Sequence, residues 1–199
     1  MTIQELTQFV YDQPIRPWQV RSEISELASM VEECRPRTVL EIGTARGGTL
    51  FLWARLAHPE ATLISIDLPG GEFGGGYPVW LSSLYRSFAL PGQTIHLLRG
   101  DSHNIENSQQ VRELLSGRGI EFLFIDGDHT YDGVKRDFET YSALLRKGGM
   151  VALHDIAQPR GPVTCEVWRF WNEIRTGHHH REFIADGAQG WAGIGVFSM

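Results

Sequence analysis

The stretch that decides the fold is Val39-Leu40-Glu41-Ile42-Gly43-Thr44-Ala45-Arg46-Gly47-Gly48. The apolar and β-branched residues of 38–42 are typical of a buried strand. The three glycines that follow let the backbone turn sharply and leave room for a ligand against it. Residues 49–56 then have helical spacing, with Leu52 and Leu56 four apart. A helix that begins beside bare backbone favours a carboxylate or a phosphate at its N-terminus.

The spacing of this turn is close to that of the dinucleotide-binding fingerprint. Gly43 and Gly48 take the first and last glycine positions, whereas Ala45 takes the middle one. The middle glycine is the residue that lets the backbone approach a pyrophosphate, so Ala45 argues against NAD or FAD. The turn alone leaves open a tight turn in some other α/β protein.

Composition limits the class of protein. The chain has 199 residues, 42% of them hydrophobic and 21% charged, which predicts one soluble globular domain. The net charge of −6 argues against nucleic acid as a partner. Cys34 and Cys165 lie far apart, both in predicted helices, which fits a reducing compartment rather than a disulfide framework. The sequence has neither a signal peptide nor a membrane-spanning apolar run, so we expect no membrane partner and a cytoplasmic location.

Periodicity predicts alternating helices and strands. A capping box formed by Thr2 and Glu5 starts a first helix, and a second helix runs from about 18 to 33. We expect these leading helices, within 1–36, to cover the pocket of a main unit at 37–199, in one structural domain overall. Further strands are predicted at 61–67, 94–98, 121–125, 150–153, 182–185 and 194–197, and further helices at 79–88, 111–115, 135–145 and 162–174.

Two features follow the second strand. Asp67, 24 residues beyond Gly43, suits a carboxylate that binds ribose hydroxyls, although a solvated strand-end aspartate is the alternative. The stretch 69–78 contains five glycines and no phosphate-loop ending. It is either a mobile flap that contacts a ligand through Phe73 and Tyr77 or a flexible surface loop.

The densest set of reactive side chains is Asp126-Gly127-Asp128-His129-Thr130-Tyr131-Asp132, after the fourth strand. His154 and Asp155 follow the fifth strand in the same way. Because parallel strands end at one edge of a sheet, we expect both segments to face the ligand. A purely structural alternative is that Asp128 and His129 cap the next helix or hydrogen-bond to each other. The run His178-His179-His180 is interpreted as a solvated turn in preference to a metal site.

Two motifs resemble the class I S-adenosylmethionine-dependent methyltransferases. The acid, x, glycine, three residues, glycine pattern of 41–47 resembles their motif I. The run FIDGDHTYDGVKRDFETYSALLRKGGMVALHD at 124–155 resembles a branch that includes cephalosporin hydroxylase-like proteins and rhamnosyl and macrolide-sugar O-methyltransferases. The resemblance extends over about 18–171. It implies an α/β, Rossmann-like seven-stranded mostly parallel sheet with helices on both faces and a C-terminal antiparallel strand pair.

The resemblance also implies a cofactor site. Glu41 and the turn residues Gly43, Thr44, Gly47 and Gly48 would lie beside the methionine half of S-adenosylmethionine. Asp67 would bind the ribose. Asp101 would accept a hydrogen bond from the adenine amino group, with Ser102 beside it, and Asp126 would lie close to the cofactor.

In related metal-dependent O-methyltransferases, carboxylates after the fourth and fifth strands hold Mg²⁺, and Asp126 and Asp155 match those positions. His154 stands where an acid is often found, and its nitrogen suits a transition metal better than Mg²⁺. We therefore expect Mg²⁺ or another divalent metal at Asp126, His154 and Asp155. His129 stands where the catechol-type relatives carry a lysine base, and Asp128 matches the base proposed for the sugar-methylating relatives. Both remain candidates for the catalytic base.

These interpretations predict S-adenosylmethionine-dependent O-methylation of a hydroxylated small molecule, such as a sugar or a natural product, by direct in-line attack. Because few elements cap the site, we expect a homo-oligomer. Three alternatives remain: a non-catalytic S-adenosylmethionine-binding protein, an NAD-dependent oxidoreductase, and a hydroxylase.

Overall fold

The computed structural model describes residues 1–71, 73–161 and 164–199. Seven strands form one sheet: β1 (Thr38–Ile42), β2 (Thr62–Asp67), β3 (Thr94–Arg99), β4 (Ile120–Ile125), β5 (Leu145–His154), β6 (His180–Phe183) and β7 (Ile194–Ser198). Their order in the sheet is β3-β2-β1-β4-β5-β7-β6. β1 to β5 are parallel, whereas β7 runs antiparallel to both β5 and β6. The predicted sheet, with its C-terminal antiparallel pair, is confirmed.

In the described part of the chain, seven α-helices surround the sheet: α1 (Ile3–Tyr11), α2 (Arg21–Cys34), α3 (Gly48–Leu56), α4 (Ser82–Arg86), α5 (Ile105–Leu115), α6 (Tyr131–Ser142) and α7 (Val167–Ile174). Short 3₁₀ segments lie at Val79–Leu81 and Arg175–Gly177. Side chains of the buried strands alternate between two hydrophobic cores. In β4, Phe122 and Phe124 pack with α1 to α4, while Leu123 and Ile125 pack with α5 to α7. The helices therefore cover both faces, as predicted.

The first helix begins with the predicted capping box. The Thr2 side chain accepts from the Glu5 backbone N–H at 3.2 Å, and the Glu5 carboxylate accepts from the Thr2 N–H at 2.8 Å. The second helix begins at Arg21, later than predicted, because Trp18 and Gln19 form a bend and Val20, the N-cap, has an extended backbone. Among the described residues, no helix combines the length and the apolar character needed to cross a membrane.

Several predicted boundaries are wrong. α6 begins at Tyr131, not Lys135, because the Thr130 hydroxyl caps it by accepting from the Gly133 N–H at 3.0 Å. Residues 147–149, predicted as a turn, lie within β5. The helix predicted over 162–174 is observed from Val167, so Cys165 precedes it, and residues 162 and 163 lie outside the described residues.

The histidine run 178–180 is not a fully solvated turn. His178 stacks on Phe197 with ring centroids 4.3 Å apart, and His180 begins β6 with its ring edge-on to Trp171 at 5.7 Å. Only His179 is exposed. Aromatic packing therefore accounts for two of the three side chains.

Candidate functional site

A cavity of about 510 Å³ lies at the carboxyl ends of the central parallel strands. The chain runs outward from β1 to β3 on one side and returns to β4 and β5 on the other. Ligands of open α/β sheets bind at such a change of direction. Most of the predicted site residues line this cavity: Gly43, Thr44, Gly48, Asp67, Asp101, Ser102, Asp126, Asp128, His129, His154 and Asp155. Glu41 and Gly47 are not on its wall.

The three glycines of the first turn are explained by close packing. A Cβ on Gly43 would lie 1.9 Å from the Asp126 carbonyl oxygen, so this glycine lets β1 approach the end of β4. A Cβ on Gly47 would lie 2.8 Å from the Tyr85 ring, and one on Gly48 would lie 2.4 Å from the Ile15 carbonyl oxygen. The sequence pattern predicts that these glycines leave room for a ligand. Here they first bring the turn against its neighbours, which sets the shape of the wall.

Glu41 lies beneath the turn and is fully buried. Its carboxyl group accepts from Trp53 Nε1 at 3.0 Å and from the Ser65 hydroxyl at 2.7 Å. The Ser65 hydroxyl also lies 2.5 Å from that of Thr44, which is buried as well. Burial raises the pKa of Glu41 to about 7, although its hydrogen bonds oppose the shift. Glu41 thus supports the turn from inside, and its predicted role beside the cofactor stays a prediction.

Asp67, at the end of β2, is nearly buried and lines the cavity. Its Oδ2 accepts from the Gly76 N–H at 3.0 Å, so the glycine-rich stretch folds over this carboxylate. Burial raises the pKa of Asp67 to about 6, against the effect of the backbone N–H groups that it accepts. Tyr77, in the same stretch, is buried against Tyr85 with ring centroids 4.7 Å apart. Gly76 and Tyr77 therefore attach this stretch to the site.

Asp101 and Ser102 follow β3 and line the cavity together with His103, which sequence reasoning missed. Asp101 Oδ1 accepts from the His103 backbone N–H at 2.8 Å, and the Ser102 carbonyl accepts from the Tyr141 hydroxyl at 2.7 Å. The His103 ring lies against Asp137 of α6, with Nε2 and Oδ1 3.3 Å apart. No local pattern in the sequence pairs these two residues, because the contact joins the loop after β3 to the middle of α6.

Asp126, His154 and Asp155 meet at the ends of β4 and β5. His154 Nδ1 lies 3.0 Å from Asp126 Oδ1 and 3.5 Å from Asp155 Oδ1. Burial opposes protonation of His154, but the two carboxylates outweigh it and raise its pKa well above the usual value. Asp155 has a left-handed backbone, with φ 63°, which is strained for a residue other than glycine. The residue with this strained backbone is thus also a member of the charged group around His154.

His129 lies between the same two carboxylates. Its Nδ1 is 3.2 Å from Asp155 Oδ2 and its Nε2 is 3.7 Å from Asp126 Oδ1. Phe73 of the glycine-rich stretch stacks on the imidazole, with ring centroids 4.8 Å apart and 11° between the planes. Asp128 is engaged differently, because its Oδ1 accepts from both the backbone N–H and the hydroxyl of Thr130, each at 2.8 Å. His129 therefore forms one charged cluster with Asp126, His154 and Asp155, whereas Asp128 orders the start of α6.

The segment before α2 supplies wall residues that the sequence did not single out. Pro17, Trp18 and Gln19 all line the cavity. Gln19 Nε2 donates to Asp126 Oδ2, which ties this segment to the end of β4. Arg46 of the turn lies over the Trp18 ring, with its guanidinium carbon 4.9 Å from the ring centroid. Only the three-dimensional fold places these residues beside the glycine-rich turn.

The chemistry of the donor set fits a divalent cation. One ligand atom from each of Asp126, His154 and Asp155 can lie within 4.8 Å of the others, and the same holds for His129, Asp155 and Cys165. Two carboxylates with an imidazole suit a transition metal better than Mg²⁺, which prefers oxygen ligands. His154 Nε2 is buried and, within the described ranges, has no hydrogen-bond partner, so the usual second contact of a ligating histidine is not formed.

Comparison with known proteins places this chain in a family. A family model described as "Methyltransferase domain" matches residues 40–156, which is more than half of the chain. An uncharacterized protein of Acanthamoeba polyphaga mimivirus is 32% identical over 121 residues, covering 59% of this chain and 51% of that protein. The chain thus spans about half the length of that relative.

Two solved structures have the same fold. The O-methyltransferase from Bacillus cereus in complex with S-adenosylhomocysteine (SAH) has a TM-score of 0.67 and 18% identity, covering 100% of this chain and 90% of that chain. The MycE methyltransferase of the mycinamycin biosynthetic pathway, in complex with Mg and SAH, has a TM-score of 0.56 and 18% identity. That match covers 78% of this chain and 37% of the MycE chain. At these identities the likeness is one of fold. The match to the family model over 40–156 carries the assignment: the chain belongs to the methyltransferase-domain family.

Proposed function

We propose that the chain binds S-adenosylmethionine in this cavity and transfers its methyl group to a hydroxyl oxygen of a small molecule. One observation carries the proposal. A single cavity is lined both by the strand-end acids Asp67 and Asp101, which suit a nucleoside, and by a charged cluster. The members of that cluster are Asp126, His129, His154 and Asp155. The SAH found with the Bacillus cereus enzyme supports the choice of cofactor.

The reaction requires a base and an open path to the methyl group. The hydroxyl of the acceptor gives its proton to the base, and its oxygen forms a bond to the methyl carbon. The carbon–sulfur bond breaks, and its electron pair stays on sulfur, so the products are a methyl ether and SAH. No covalent bond to the protein is involved. The chain therefore has to bind the two substrates, align them and accept one proton.

We assign the base to His129. When its Nδ1–H donates to Asp155 Oδ2, 3.2 Å away, Nε2 is left to accept the proton. The Phe73 ring stacked on the imidazole helps to hold that orientation. Asp128 is the weaker candidate, because Thr130 already donates two hydrogen bonds to its Oδ1.

A divalent cation at Asp126, His154 and Asp155 would lower the pKa of the acceptor hydroxyl and fix its position. The Mg in the MycE complex supports a divalent metal in a protein of this fold, while the histidine in the donor set favours a transition metal here. Phe73 and Trp191 are exposed and also line the cavity. These aromatic side chains supply apolar surface for a sugar or a natural product as the acceptor.

Ligand-dependent thermal unfolding tests the cofactor. We expect SAH at one hundred times its Kd to stabilise the protein by about 2.7 kcal/mol, whereas NAD should leave the melting temperature unchanged. Each ligand is measured with Mn²⁺, with Mg²⁺ and with a chelator. Because the donor set includes a histidine, we expect Mn²⁺ to raise the melting temperature more than Mg²⁺ does. Stabilisation by NAD without stabilisation by SAH would overturn the proposal.

Release of SAH from S-adenosylmethionine, measured with a panel of hydroxylated sugars and phenols, tests catalysis. His129→Gln should lower kcat at least 100-fold while cofactor binding is kept. Asp128→Asn should have a smaller effect. Asp132→Asn is a matched control, since Asp132 is an exposed carboxylate on the same segment. Normal turnover by the His129 variant would remove the assigned base, and SAH binding without turnover on any acceptor would favour a non-catalytic binding protein.

A further inference from the structure

We infer that Asp137 and His103 form a positioning pair that fixes Asp101 for recognition of the 6-amino group of adenine. The inference rests on the proposed function, because it concerns the nucleoside end of the same cavity. It assigns a role to two residues that belong neither to the turn at 43–48 nor to the charged cluster. Its basis is a chain of contacts from the buried core to the cavity wall.

The first contact lies inside the protein. Asp137, on α6, is fully buried, and within the described residues neither of its carboxyl oxygens makes a well-formed hydrogen bond. The nearest basic group is His103 Nε2, 3.3 Å from Asp137 Oδ1. A buried carboxylate without a counter-charge is strongly unfavourable, so protonated His103 is the counter-charge that the site requires.

The second contact reaches the cavity. His103 Nδ1 lies 3.6 Å from Asp101 Oδ1, and the same oxygen accepts from the His103 backbone N–H at 2.8 Å. The Asp101 carbonyl oxygen accepts from Asn107 Nδ2 at 2.7 Å. Both the side chain and the backbone of Asp101 are therefore held. Among the residues that the structure describes, none hydrogen-bonds to Oδ2, which is left to accept from a ligand.

Other residues of α6 hold the same loop. Arg136 donates to the His103 carbonyl at 3.0 Å, and the Tyr141 hydroxyl donates to that of Ser102 at 2.7 Å. The His103 ring also lies 3.1 Å from the Gly133 carbonyl oxygen through Nε2. Since α6 begins directly after the segment with His129, one helix supports both the predicted adenine side and the charged cluster.

The carboxylates that face His103 favour its protonated form, whereas the Arg136 guanidinium, which donates to the His103 carbonyl, is a like charge. Asp137 has the largest effect, burial opposes it, and Asp101 and the Gly133 carbonyl add to it, so the pKa of His103 is raised. Burial raises the pKa of Asp137, which His103 and the Ser102 hydroxyl counteract. Asp128 acts on Asp137 as a more distant like charge. As pH rises above the usual histidine range, His103 loses its proton and its hold on Asp101 weakens.

The test compares SAH with its 6-deamino analogue, in which purine replaces adenine, by isothermal titration at pH 7. We expect the wild-type protein to bind SAH about tenfold or more tightly than the analogue, because a hydrogen bond to a charged acceptor is lost. His103→Gln and Asp137→Asn should each reduce this ratio to below about threefold. His96→Gln is the control, since His96 is a half-buried histidine on β3 that does not line the cavity.

A second measurement uses the wild-type protein alone, in case a variant does not fold. The SAH-to-analogue ratio should fall between pH 7 and pH 9, and the homocysteine amino group cancels because both ligands carry it. A ratio that is retained in folded His103→Gln protein, or that is constant with pH, overturns the inference. Equal binding of SAH and the analogue by wild type overturns it as well. Failure of wild type to bind SAH at all overturns the proposed function instead.

Discussion

At the scale of single residues, Glu41 shows a conflict between burial and charge. Burial raises the pKa of its carboxyl group from 4.5 to about 7. Between those values the unfolded chain is ionised at this residue while the folded protein keeps the proton, so the free energy of unfolding falls as pH rises. The loss levels off above pH 7, at about 3 kcal/mol for such a shift.

Glu41→Gln should remove this pH dependence. The amide oxygen can still accept from Trp53 Nε1, so the buried indole keeps its partner. We expect the variant to gain stability relative to wild type, by up to about 3 kcal/mol, between pH 4.5 and pH 8. Urea unfolding of both proteins across this range measures the difference. Parallel stability profiles would show that Glu41 has an ordinary pKa.

Gly43 tests the close approach of two strands. Alanine there has to adopt a φ of 95° and would place its Cβ 1.9 Å from the Asp126 carbonyl oxygen. Gly70, with φ 74° and no atom within 4 Å of such a Cβ, is a matched control for backbone strain alone. We expect Gly43→Ala to lose at least about 2 kcal/mol more than Gly70→Ala in urea unfolding. Equal losses would mean that the strands move apart without cost.

At the scale of elements, the hydrophobic periodicity of the sequence was sufficient to predict the sheet but not the side-chain contacts of the site. Apolar runs at 38–42 and 121–125 identified buried strands because both faces of a parallel sheet are covered. The start of α6 was missed because the cap, Thr130, lies outside the apolar pattern. The strand ends brought Asp67, Asp126 and Asp155 to one edge, as the topology requires.

Contacts between segments that are distant in the chain could not be predicted from the sequence. Gln19 donates to Asp126 across 107 positions in sequence, and Phe73 stacks on His129 from another loop. The ring of His103 meets Asp137 in the same way. Each of these pairs joins elements whose distance depends on how helices pack on the sheet, which local propensity does not encode. The site was therefore predictable as a set of strand ends, but not as a set of side-chain partners.

The segment between α1 and α2 makes a testable contribution to binding. Trp18 and Trp80 are both exposed, at 62% and 73%, but only Trp18 lines the cavity. A ligand that covers the Trp18 ring and the nearby Arg46 would gain apolar and cation–π contact. Trp18→Ala should weaken SAH binding about tenfold, or about 1.4 kcal/mol, in isothermal titration. Trp80→Ala should bind SAH as wild type does; a similar loss in both variants would point to a general effect on folding.

At the scale of the whole molecule, α6 is central to the arrangement. It follows the charged segment after β4, packs on the sheet, and holds the loop after β3 through Arg136, Asp137 and Tyr141. Loss of order in this one helix would disturb both the predicted adenine side and the base. Assembly into a homo-oligomer, which the few capping elements led us to expect, stays a prediction.

The buried ionisable groups together predict an unusual dependence of stability on pH. Burial raises the pKa of Glu41 to about 7 and that of Asp67 to about 6, so both contribute a loss of stability as pH rises from about 4 to 7. His103, whose pKa is raised chiefly by Asp137, contributes stability that is complete below the unfolded value of 6.5 and is lost as pH rises through its folded value. All three groups act in the same direction.

Asp155 sets the acid limit, because its pKa is lowered to about 2: burial opposes this shift, and His154 and His129 outweigh burial. The stability that ionised Asp155 contributes is complete above pH 3.8 and is lost as pH falls towards 2. We therefore expect the ligand-free protein to be most stable near pH 4–5, below the usual optimum of about 5–8. Urea unfolding at about pH 4.5, 6, 7.5 and 8.5 should give a free energy of unfolding that falls steadily from the first value to the last. A rise from pH 5 to 8 would contradict the assignment of these acids as buried and protonated.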